Sequence, residues 1–126
     1  AQFTGLACAL AACSQVMRVA QWKGWRMASS PSVLALHIGY GWITVGFGLL
    51  AIHIFVPARL GQAAAVHAWT IGAIGTMALA IIASMIRKHS RGAFETSVRA
   101  TGAFAAMTIC CLSHLLVEFL PIYGQF

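Results

Sequence analysis

Residues 68–86 read Ala-Trp-Thr-Ile-Gly-Ala-Ile-Gly-Thr-Met-Ala-Leu-Ala-Ile-Ile-Ala-Ser-Met-Ile, an apolar run without a single charge. At 1.5 Å per residue such a run comes close to crossing the ~30 Å hydrocarbon core of a bilayer. Its small residues Ala68, Gly72, Thr76 and Ala80 recur at every fourth position, which places them along one helix face. Either a neighbouring helix or a flat cofactor can approach the backbone closely there. His67 stands at the head of the run, as a histidine opening an apolar helix.

Working outward, three further long apolar stretches appear, and the expected helices cover about 3–20, 33–56, 68–86 and 100–120. The runs are continuous rather than alternating, so they read as helices and not as barrel strands. The chain of 126 residues is 60% hydrophobic and only 8% charged, far from the ~25% charge of soluble domains. The expected fold is all-α and integral to the membrane: four transmembrane helices in up-down order, forming a single unit over 1–126. Residues 1–20 lack a basic start and a small-residue cleavage site, so they read as a span and not as a signal peptide.

Charge orients the spans. Arg18, Lys23, Arg26, Arg87, Lys88, Arg91 and Arg99 flank the two loops on one side, and only Arg59 lies in the loop on the other. The positive-inside rule then puts the 18–31 and 87–99 loops in the cytoplasm, with both termini and the 57–66 loop facing outward. Orientation accounts for the net charge of +6 without a nucleic-acid partner. Asp is absent, and Glu95 and Glu118 fall on opposite sides, which excludes paired-carboxylate and Ser-His-Asp chemistry.

Five histidines remain, and a histidine inside a span is costly unless paired, hydrated or bound. Depth sorts them into His37 and His89 on the inner side and His53, His67 and His114 on the outer side. His67 and His89 are 22 residues apart, about 33 Å on a straight helix, and cannot share a metal. Imidazole is a common ligand of haem iron and copper, so His37, His67, His89 and His114 are candidate ligands. A second pattern lies on the last helix, where Met107, Cys110, Cys111, His114 and Glu118 follow at helical spacings of three and four. With His53 nearby, Met107, Cys110 and His114 form a soft donor set of the kind that suits copper, although Met and Cys also fill helix cores. Glu118, four residues from His114, is placed to orient that imidazole.

Two longer blocks go further. Gln21-Trp22-Lys23-Gly24-Trp25-Arg26 leads through Pro31 into Leu36-His37-Ile38-Gly39-Tyr40-Gly41-Trp42, and the second block runs from His67 to Met77. They resemble the Trp-x-Gly-Trp-Arg loop, the Leu-His-x-Gly-Tyr helix and the His-Ala-Leu-Thr-x-Gly-Ala-Ile-Gly-Thr-Met stretch of the NnrS family, bacterial membrane proteins that bind haem and copper. Pro121-Ile122 is similar to the Pro-Ile-Leu after the family's last helix. The resemblance is to the C-terminal four-helix portion of those longer proteins. Two departures stand out: Lys88-His89-Ser90-Arg91-Gly92 replaces a Gly-His-Thr-Gly-Arg loop, and Ser84 stands where the family has an arginine.

The resemblance implies a haem-binding inner-membrane protein linked to nitric oxide metabolism, denitrification and the nitrosative stress response. His37, His67 and His89 match family histidines. A b-type haem would be held by His37 or His67, with Tyr40, Gly72 and Gly75 shaping the pocket, and with His89 or His114 as second ligand at the same depth. Lipid, haem, nitric oxide and other transmembrane helices or subunits are the expected partners. Two alternatives stay open: a copper-handling membrane protein, and a packing subunit of a larger membrane complex.

Overall fold

The computed structural model describes residues 1–23, 26, 31–89 and 98–120. Gly24, Trp25, Ser90, Arg91, Gly92, Glu95, Pro121 and Ile122 lie outside the described residues. Four helical spans are long and apolar enough to cross a membrane, and the chain is a multi-pass membrane protein whose outer faces meet lipid. The spans are α1 (Gln2–Trp22), α2 (Pro31–Phe55), a composite third span, and α5 (Val98–Phe119). The third span runs continuously through α3 (Gln62–His67), a π-helical segment (Ala68–Gly75) and α4 (Thr76–His89).

Each boundary has a local cause. Lys23 takes up the left-handed conformation at φ 47° and closes α1. Pro31 opens α2, where its missing N–H costs nothing and its φ already suits a helix. Gly61 is extended, and its carbonyl accepts from the Ala64 N–H at 3.3 Å to start α3. The third span therefore begins at Gln62 rather than at 68. His67 does not open it but sits more than a turn inside. The alanines at 63–65 are the best of helix formers, and Ala64 and Ala65 are buried, so packing extends the helix beyond the most hydrophobic run.

The spans pack antiparallel in chain order. Gly5 at the start of α1 meets Phe55 at the end of α2, and Trp22 at the end of α1 meets Tyr40 near the start of α2. The third span lies along α2 through two reciprocal tryptophan–glycine contacts. The Trp42 ring covers Gly72, and the Trp69 indole covers Gly46 while donating Nε1–H to the Ile43 carbonyl at 3.3 Å. A glycine at each receiving position lets a large ring lie against the neighbouring backbone. α5 packs on the other side of the third span, with Phe104 and Ala100 against Ala80 and Ala83 at one end and Cys111 and Leu115 against Ala64, Ala65 and Ala68 at the other. Ala68, Gly72, Thr76 and Ala80 are all buried, as the spacing of four predicts. The exposed Lys23, Arg26, Lys88 and Arg99 gather at one end of the bundle, called here the basic end.

Candidate metal and cofactor sites

At the end opposite the basic residues, antiparallel packing of α3 on α5 brings His67 and His114 together, with ring centroids 4.9 Å apart and planes tilted by 45°. His67 is half-buried and His114 exposed. His67 Nδ1 is buried and has no hydrogen-bond partner, an expensive state for a polar atom in an apolar bundle. One turn before His114 on α5, the buried Cys111 thiol donates to the His67 carbonyl at 3.8 Å, which pins the two helices at this level. His67 is also the residue at which the α-helix passes into the π segment. The sequence spacing carried no sign of that widened turn; π turns inside α-helices are frequent at functional sites.

The other histidines go separate ways. His53 Nδ1 is 2.7 Å from the Leu60 carbonyl, so that nitrogen carries the proton and ties the end of α2 to the turn before α3. His89 is exposed at the end of α4, its Nδ1 3.0 Å from the Met85 carbonyl of its own helix. His37, half-buried near the basic end of α2, lies 6.5 Å from the Trp22 ring, and Tyr40 lies edge-on to that same indole at 4.9 Å. Among the described residues no group of three or more His, Cys, Asp and Glu side chains comes together for a metal ion.

The family profile of NnrS (NnrS protein) matches residues 1–125, essentially the whole sequence. The chain belongs to the NnrS family. No curated protein and no solved structure matches it.

In this NnrS family chain the glycines divide into filled and open. A Cβ at Gly72 would stand 2.6 Å from Trp42 Cγ and 2.9 Å from Cys111 Sγ; at Gly75 it would meet Met107 Cε at 2.6 Å, and at Gly39 Met77 Cγ at 2.7 Å. Gly72 and Gly75, expected to shape a cofactor pocket, receive protein side chains instead. Gly41 and Gly48 have no atom within 4 Å of such a Cβ. They lie four and eleven residues beyond His37, offset from it by only about 40° and 20° around the helix. The sequence has glycine pairs at 39–41 and 46–48, and only packing decides which member of each is filled. His37, Gly41 and Gly48 thus make one uncrowded face of α2.

The copper stripe is split by its surroundings. Met107 packs inward on Gly75, Cys111 is buried, and Cys110 faces outward with His114. Glu118, expected to orient His114, reaches across to Gly61, where its Oε2 would lie 3.0 Å from a Cβ. An apolar groove of about 360 Å³ between α2, α4 and α5 is lined by Ala35, Thr76, Phe104 and Thr108 among others, with no histidine among its lining residues.

Proposed function

We propose that this chain is a haem-binding bacterial inner-membrane protein of nitric oxide metabolism, in which His37, on the uncrowded face of α2, would hold the haem. Membership of the NnrS family supports the haem and nitric oxide parts of the reading. The observation that carries the choice of residue is the pair of open glycines, Gly41 and Gly48, on the same face as a half-buried histidine. Their separation of seven residues is about 10 Å along the helix, comparable to the width of a macrocycle. His37 offers a neutral ring nitrogen, and the two glycines keep side chains out of the plane a flat group needs. Trp22 and Tyr40 pack edge-on at the basic end of the same region. Arg26, Lys88 and Arg99 stand exposed at that end, where cations favour carboxylate groups at the membrane surface. A bound b-type haem would supply an iron centre able to take nitric oxide or to pass an electron. Positive charge at the His37 end supports an orientation with that end in the cytoplasm and both termini of the segment in the periplasm.

The test is a visible spectrum of the detergent-purified protein, oxidised and dithionite-reduced, before and after nitric oxide. A Soret band that responds to nitric oxide, and that is lost in His37→Ala while far-UV circular dichroism stays helical, is the expected result. Full haem content in His37→Ala refutes the assignment of His37. A wild type that never takes up haem refutes the reading as a whole.

A further inference from the structure

We infer that the groove between α2 and α5 holds one acyl chain of an anionic phospholipid, drawn from the leaflet at the basic end of the bundle. Small residues make its floor: Ala35 of α2 and Thr76 of the third span are both buried. Ile38 of α2 and Ile109 of α5 stand exposed as its rims, so the groove opens sideways to hydrocarbon and not to water. The third span lies between α2 and α5, and a space of about 360 Å³ is left over Thr76.

Lining and length select a hydrocarbon chain. The Thr76 hydroxyl oxygen is buried, and the Thr108 hydroxyl donates to the Phe104 carbonyl of its own helix at 3.0 Å. A ring molecule that needs a hydrogen bond finds no free donor at this floor, whereas an acyl chain needs none. The α5 wall runs from Thr101 to Ile109, about 12 Å along the helix, against about 15 Å for one leaflet of a ~30 Å hydrocarbon core. It begins three residues inside the start of α5 at Val98, so the groove runs from the membrane surface at the basic end toward the bilayer middle. Charge at that end selects the headgroup. Lys23, Arg26, Lys88 and Arg99 are exposed there, and helical side chains lean toward the N-terminus of their helix, which carries Arg99 outward to headgroup level. Basic residues at the ends of transmembrane helices recognise anionic headgroups. A chain that leaves other lipids gains no transfer energy, so its preference comes from fit along the groove and charge at its end.

The inference does not rest on the haem reading, and its test reads bound lipid. The full chain in detergent is stripped of lipid, offered palmitoyl-oleoyl phosphatidylglycerol or the matching phosphatidylcholine, and examined by native mass spectrometry. The expected result is one phosphatidylglycerol per chain, held roughly fivefold more tightly than phosphatidylcholine, the fold-change of one cation near the surface. Ala105→Trp fills the groove from an exposed position and should abolish the bound species. Ala106→Trp, exposed on α5 but outside the lining, should bind as the wild type does, and so should His37→Ala. Arg99→Gln should lose the preference for phosphatidylglycerol while still binding a chain. Helical circular dichroism checks the fold of each variant. Equal binding of the two lipids by the wild type, undiminished binding in Ala105→Trp, or no retained lipid at all overturns the site. So does a dimer that Ala105→Trp dissociates, or a neutral isoprenoid retained in place of the phospholipid, since each gives the groove a different occupant.

Discussion

A single added methyl group should separate the filled glycines from the open ones. In Gly72→Ala the new Cβ lies 2.6 Å from Trp42 Cγ and 2.9 Å from Cys111 Sγ, well inside van der Waals contact, and both neighbours are buried. Neither is the free end of a flexible chain, so the helices must part or Trp42 must leave its rotamer. Overpacking of this kind typically costs about 1–3 kcal/mol. The matched control is Gly41→Ala or Gly48→Ala, where no atom lies within 4 Å and replacing a helical glycine should gain up to about 1 kcal/mol. The two substitutions are chemically identical, so the propensity gain cancels and their difference of about 1–3 kcal/mol isolates packing. Reversible unfolding in mixed micelles, followed by circular dichroism, measures it. Trimming the opposing ring in Gly72→Ala/Trp42→Leu should recover part of the loss, a coupling expected of residues in contact. If Gly72→Ala is as stable as Gly48→Ala, the Trp42–Gly72 contact does not hold the third span to α2, and the packing argument fails.

His53→Ala removes the 2.7 Å bond to the Leu60 carbonyl; about 1 kcal/mol of stability should go, with faster amide exchange confined to residues 56–60. Trp69→Phe keeps the ring over Gly46 but loses the donor to the Ile43 carbonyl, and should cost about 0.5–1.5 kcal/mol in the same unfolding assay. Single cysteines placed at Arg59 and at Lys88 in a cysteine-free background should react with an impermeant reagent from opposite sides of the membrane, and reaction from one side alone would refute the antiparallel arrangement.

Much of the architecture was legible because bilayer thickness leaves few solutions. An uncharged run such as 68–86 has to be a helix, and four of them joined by short loops have to alternate in direction. The stripe of Ala68, Gly72, Thr76 and Ala80 was legible for the same reason, since periodicity alone tells which side chains share a face. What filled that face was not. The indole of Trp42, the thiol of Cys111 and the thioether of Met107 reach it from other helices, and no spacing within residues 67–77 encodes a partner thirty residues away. The third span also starts earlier than its most hydrophobic run, at Gln62. Ala64 and Ala65 become buried core only when α2 and α5 close over them.

Local sequence, then, determined the membrane class, the four spans, their alternation and the family blocks, because these depend on side-chain chemistry summed over windows of about twenty residues. Tertiary structure decided the rest: that His67 meets His114 while His53 turns to the Leu60 carbonyl, that Gly72 is filled while Gly41 and Gly48 lie open, and that the turn after His67 widens. Each of those is a relation between side chains on different helices, or a compromise the backbone makes to fit them. Such relations exist only once the helices are packed.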